Sequence, residues 1–77
     1  MDLQGLVEYI AKKLVEDPSR VSVNVIESSN AITLELRVGQ GDMGRVIGKS
    51  GRIANAIRTL VRIAAAREGK RVNLEIV

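Results

Sequence analysis

The spacing of apolar residues changes period three times along this 77-residue chain, and that succession leaves few folds open. Leu3, Leu6, Val7, Ile10 and Leu14 fall at i, i+3, i+4, i+7 and i+11, one stripe of an amphipathic helix. Asp2 is placed to cap it, and Glu8 stands four residues before Lys12 on the outer face, a favourable pair. Asp17-Pro18 marks its end, because the residue before proline is pushed out of the α region. From Val21 the period becomes two. Val21, Val23 and Val25 alternate with Ser22 and Asn24, and Ile32, Leu34, Leu36 and Val38 alternate with Thr33, Glu35 and Arg37. Each run predicts a strand with one buried and one wet face, and Ser28-Ser29-Asn30 joins them as an antiparallel hairpin.

After Gly39-Gln40-Gly41 the pattern is helical again. Asp42 is expected to cap a short helix over Met43 to Ile47, Gly48-Lys49-Ser50-Gly51 interrupts it, and a longer helix runs from about Arg52 to Glu68 with Gly69 at its C′ position. Val72, Leu74 and Ile76 then restore the period of two. A strand reached through a helical crossover lies parallel to the strand it left. The expected architecture is therefore α+β, in the order α-β-β-α-α-β: a three-stranded mixed sheet covered on one face by helices, one domain over residues 1–77.

The side chains exclude several kinds of chemistry. With neither cysteine nor histidine, zinc sites built from those residues, disulfides and histidine-based catalysis are ruled out. The carboxylates Glu8, Glu16, Asp17, Glu27 and Glu35 are scattered over the first helix and the hairpin, with no pair at a cleft and no nucleophile beside a base. The chain is expected not to be an enzyme and to need no cofactor, metal or small-molecule substrate. Met1 to Gly5 lacks the basic start of a signal peptide, and no apolar run approaches the roughly 20 residues that span a bilayer. The expected location is the cytoplasm, away from membranes.

Charge is polarised along the chain. Residues 1–42 hold four Lys/Arg and seven Asp/Glu, a net of −3, whereas residues 43–77 hold eight and two, a net of +6. Such asymmetry points either to an anionic partner or to a solvated helix face built with arginine. On the long helix Ile53, Ile57, Leu60, Val61, Ile63 and Ala64 share an apolar arc of roughly 160°, with Arg58 and Arg62 on the far side and Arg52 at the edge. The arc is generous for one side of a small sheet. Its margin, Leu60 and Ile63, is either covered by the first helix or left for a partner chain.

The glycine loop admits three readings. A nucleotide-binding P-loop needs a glycine five residues before Gly48-Lys49-Ser50, and that position is Met43; it should also follow a strand directly. A purely structural turn explains the two glycines but not the polar pair between them, nor Arg45 and Arg52 on either side. A phosphate-backbone site explains all of these. Without Cβ atoms Gly48 and Gly51 let a phosphodiester approach the main chain, the helix after Gly51 offers free N–H groups, Lys49 adds a cation and Ser50 a hydroxyl.

Val46-Ile47-Gly48-Lys49-Ser50-Gly51-Arg52-Ile53-Ala54-Asn55-Ala56-Ile57 resembles the KH signature V-I-G-x-x-G-x-x-I-x-x-I, with one departure: Ile53 precedes the expected first isoleucine position, which holds Ala54. The element order resembles the type II form, and the length, Gly44-Arg45-Val46-Ile47-Gly48-Lys49 and Ala56-Ile57-Arg58-Thr59-Leu60 are similar to the KhpA family of small bacterial stand-alone KH proteins. The resemblance implies a single-stranded RNA-binding protein whose loop clamps about four nucleotides; the alternatives are single-stranded DNA as the ligand, or a protein-interaction module that kept the KH fold without RNA, against which the intact Gly48, Lys49 and Gly51 speak. It also implies bases lying in a groove floored by Val46, Ile47, Ile53 and Ala54. It further implies an RNA chaperone or post-transcriptional regulator that pairs with itself or with KhpB, a Jag-type RNA-binding protein, in cell-wall homeostasis and cell-length control. The sole aromatic, Tyr9, is expected to be a partly buried residue of the first helix. A site without stacking platforms forgoes roughly 1–3 kcal/mol per base, which favours joining two domains.

Overall fold

The computed structural model describes residues 2–77 and has the expected order. Helix α1 (Leu3–Leu14) begins where the Asp2 carboxylate accepts a hydrogen bond from the Gly5 N–H at 2.9 Å, and Lys12 Nζ lies 2.8 Å from Glu8. It ends earlier than proline alone requires. Val15 is already extended, and Asp17-Pro18 instead opens a single 3₁₀ turn, Pro18–Arg20, with the Asp17 side chain accepting from the Ser19 N–H. The buried line of α1 is Leu3, Val7 and Ala11. Tyr9 falls off that line and is 63% exposed, with the Lys13 ammonium 5.4 Å from its ring centre, so the expectation of partial burial does not hold.

Strands β1 (Ser22–Glu27), β2 (Ile32–Arg37) and β3 (Val72–Ile76) form one sheet in the order β1-β2-β3. β1 and β2 are antiparallel with Val23 opposite Leu36; β2 and β3 are parallel with Leu34 beside Leu74. Val23, Leu34, Leu36, Val72 and Leu74 are buried beneath the helices. Val25 departs from the alternation and is 37% exposed, because it lies near the hairpin end, beside the first residues of α1, where helical cover stops.

Helices α2 (Met43–Ile47) and α3 (Arg52–Ala66) flank the glycine loop. α3 closes as expected around Gly69: the Lys70 N–H reaches the Ala65 carbonyl and the Gly69 N–H the Ala66 carbonyl, a Schellman pair. Its buried residues are Ala54, Ile57, Val61 and Ala65. Two of the four are alanine, which lets α3 lie close and moves the centre of the buried arc away from the larger residues that dominate the sequence pattern. At 3.6 residues per turn Ile63 lies about 165° from that centre. Leu60 and Ile63 are accordingly 54% and 56% exposed, and α1 does not cover them. Arg58 lies on the opposite flank, beside β3, rather than on the open far side.

Leu34, Leu36, Val7, Val46 and Val61 are the largest fully buried side chains. Each contributes about 1.5–3 kcal/mol by leaving water. Val46 joins α2 to this core, which fixes the start of the loop that follows it.

Candidate nucleic-acid interface

The loop departs from helical geometry at three of its four residues. Gly48 has φ 75° and ψ 173°, Ser50 φ 59° and ψ 24°, Gly51 φ 75° and ψ 14°. The Gly48 conformation is essentially open to glycine alone. A Cβ there would also stand 2.7 Å from Ile53 Cγ1, so Ile53 packs directly on the Gly48 backbone. Gly51 is not crowded, its nearest neighbour being Asn55 Nδ2 at 3.8 Å; its glycine serves the left-handed backbone. Ser50 is the sole non-glycine with positive φ among the described residues, a strain of the kind that collects at ligand sites. The Gly51 N–H donates to the Gly48 carbonyl at 3.2 Å, which tightens the turn. No side chain among the described residues caps α3, so its positive end faces the loop uncovered.

Lys49, Ser50 and Arg52 are exposed around this turn. Arg45 is tied down behind it, in ion pairs with Glu16 and with Asp42 Oδ1, the latter at 3.1 Å. Asp42 does not cap α2. Asp42 is only 5% exposed, and its carboxylate reaches across to accept from the Glu16 and Asp17 N–H groups, each at 3.1 Å. The chain after α1 is thereby fastened to the start of α2. The sequence signals nothing of this, since an acid before a short helix reads as a cap.

The Glu16 N–H bond is the main cause holding the Asp42 carboxyl below its ordinary value of 3.8; burial opposes it, and the Asp17 N–H and Arg45 add to it. A depressed acid lends stability that is complete above the unfolded-state value and lost as pH falls through the folded-state value. We expect thermal melts of the wild type to fall below pH 3.8 more steeply than those of Asp42→Asn, which starts lower at neutral pH. Parallel melting profiles for the two proteins would show that Asp42 does not carry this acid sensitivity.

Beside the loop, Ile47 and Ile53 are partly buried and present apolar surface, whereas Val46 and Ala54 are buried and support them from beneath. The far wall is β3. Arg71 and Val77 make backbone bonds to β2, so the alternating residues Val72, Leu74 and Ile76 turn their N–H and C=O groups to the open edge of the sheet. Arg58 spans the gap between α3 and that edge. Its Nε donates to the Leu74 carbonyl and its Nη1 to Asn55 Oδ1, both at 3.1 Å. The surroundings of the loop thus comprise its apolar neighbours Ile47 and Ile53 and, further along α3, Asn55, Arg58 and the β3 edge. The last three were not anticipated: which edge of which strand stays unpaired depends on sheet order, and no local pattern encodes it.

The family model for the KhpA/KhpB KH domain matches residues 4–76. The chain belongs to the KhpA/KhpB KH-domain family. Relatives called RNA-binding protein KhpA include those of Caldanaerobacter subterraneus subsp. tengcongensis, 57% identical over 94% of this chain and 96% of the relative, and of Clostridium perfringens, 53% identical over 97% and 100%. The family is one of RNA-binding proteins and not of enzymes. Among solved structures, Era in complex with MgGDPNP and nucleotides 1506-1542 of 16S ribosomal RNA superposes with a TM-score of 0.70 at 22% identity, over 96% of this chain and 28% of Era. Era from Aquifex aeolicus bound to GDP.AlF4- gives the same score and identity over 29% of its length. The chain thus spans less than a third of each Era, and the likeness concerns the KH fold alone. Among the described residues no helix is long and apolar enough to cross a membrane, and no cluster of acidic side chains is disposed to hold a metal ion.

Proposed function

We propose that this chain binds single-stranded RNA, with the backbone phosphates of about four nucleotides over Gly48, Lys49, Ser50 and Gly51. The observation that carries the reading is the loop itself: two glycines at φ 75° enclose an exposed Lys49-Ser50 pair against an uncapped α3. The Gly51 and Arg52 N–H groups are already bonded to the Gly48 and Lys49 carbonyls, so the Lys49 ammonium, the Ser50 hydroxyl and the remaining N–H groups at the start of α3 are what the loop offers a phosphate. Arg52 adds to the field directly. Arg45 adds less, because Glu16 and Asp42 already balance it. Bases rest on Ile47 and Ile53, which Val46 holds in place from the core. The KhpA relatives' name supports RNA as the ligand. The reading is tested by reversing the loop charge, Lys49→Asp with Ser50→Asp, and measuring RNA affinity.

The family supports a cytoplasmic role as an RNA chaperone or post-transcriptional regulator, acting with KhpB in cell-wall homeostasis and cell-length control. It also supports pairing with a second copy or with KhpB. An aliphatic groove is a weak site, and two joined grooves gain through effective concentration. Leu60 and Ile63, exposed on α3, are the apolar surface we assign to that pairing. Leu60→Asp should convert a dimer to monomer by light scattering; a dimer that survives the substitution would contradict this face.

A further inference from the structure

The sheet has two open edges, and on each a carbonyl is closed by a helix side chain. On β3 it is that of Leu74, bonded to Arg58. On β1 it is that of Val23, which accepts from Gln4 Nε2 of α1 at 2.7 Å. The Ser28 N–H bonds to the Ala31 carbonyl, which sets the alternation along β1: Ser22, Asn24 and Ile26 bond to β2, whereas Val23, Val25 and Glu27 turn their N–H and C=O groups outward. No side chain among the described residues bonds to the main chain of Val25 or Glu27. β1 also lacks the usual protection of an edge strand. It has no proline or lysine, its register with β2 runs without a bulge, and Val25 and Ile26 are 37% and 47% exposed. A strand of this kind is a template for another.

We propose that Gln4 guards this edge, and that without it β1 pairs antiparallel with β1 of a second copy of the chain. The strand suits its own copy. A two-fold axis at Val25 sets Val25 opposite Val25, Val23 opposite Glu27 and Asn24 opposite Ile26. Every outward N–H then meets a carbonyl, and no like charges stand opposite one another. Gln4 breaks this match once in each chain. Its amide lies 2.7 Å from the Val23 carbonyl, in the place that the Glu27 N–H of the second copy would take at about 2.9 Å. The guard bears on assembly. The pairing assigned to Leu60 and Ile63 uses one self-complementary face and closes as a dimer, whereas a second such face on the same chain would link dimers into open-ended rows. Gln4 keeps the second face shut, and it does so whether or not α3 forms the first.

The test is light scattering over a range of protein concentration on the wild type, Gln4→Ala and Gln4→Ala/Ile26→Lys. Gln4→Ala should gain mass with concentration, to at least about twice that of the wild type, since each chain acquires one more isologous contact. Amide exchange at Val25 and Glu27 should slow in the same samples, because their N–H groups enter a ladder. Ile26→Lys leaves the Gln4 bond unrestored but sets two lysines diagonally across the two-fold axis, at an exposed position of the edge strand. It should return the mass to the wild-type value. Association that arises from lost stability alone would be equal in the two variants, and that result would overturn the guard. A Gln4→Ala mass that follows the wild type at every concentration would overturn it too, as would growth with exchange at Val25 and Glu27 unchanged.

Discussion

Gly48→Ala should destabilise the domain by roughly 2–6 kcal/mol, since the backbone costs about 1–3 kcal/mol for any other residue and a forced shift in a packed site costs about as much again. The clash is specific. The added Cβ would stand 2.7 Å from Ile53 Cγ1, and Ile53 cannot retreat easily because it is itself packed against the core cluster. For a domain of this size each kcal/mol moves the melting temperature by about 4–8 °C, so the loss should be at least about 8 °C. Gly44→Ala supplies the contrast within the same motif. Gly44 is in α2 with nothing within 4 Å of an added Cβ, and alanine there should raise stability by about 0.4–1 kcal/mol. Urea unfolding of the three proteins distinguishes them. Equal midpoints for Gly48→Ala and wild type would mean that the loop has slack that its geometry denies.

This contrast also shows where the sequence was legible. Period and turn chemistry were enough for all six helices and strands and for their parallel and antiparallel pairing. The loop stood out because glycines enclosing a polar, cationic pair have no economical structural reading. Other features depend on three-dimensional neighbours. Asp42 looked like a cap and is a cross-link, since its partners are main-chain N–H groups about 25 residues away. Arg58 looked like solvent-facing charge and bridges to β3, because the buried arc of α3 is set by Ala54 and Ala65, residues that a pattern of large apolar side chains discounts. Leu60 and Ile63 fit the sequence pattern of that arc for the same reason and lie outside it. Val46, expected at the groove surface, is wholly buried and shapes the groove from below.

The second large effect concerns binding with the fold intact. Lys49→Asp with Ser50→Asp replaces the loop cation by two anions where a phosphate is to lie. Both side chains are exposed, so stability should stay within about 0.5 kcal/mol. Aspartate also tolerates the left-handed backbone of residue 50, and negative charge at the start of α3 suits the helix dipole. Two changes that favour the fold should therefore remove the ligand, which separates this pair of substitutions from Gly48→Ala, where folding and binding fail together.

The decisive measurement is the affinity of the wild type and this loop variant for short single-stranded RNA, with the matching DNA alongside, at two salt concentrations. The wild type should bind RNA with an affinity that falls steeply as salt rises, by about 0.7 in log K per log salt for each phosphate held. The loop variant should bind at least about tenfold more weakly at low salt, with the gap narrowing as salt screens the charges. Equal affinity of the two proteins, or a wild-type affinity indifferent to salt, would contradict a phosphate clamp at Gly48–Gly51.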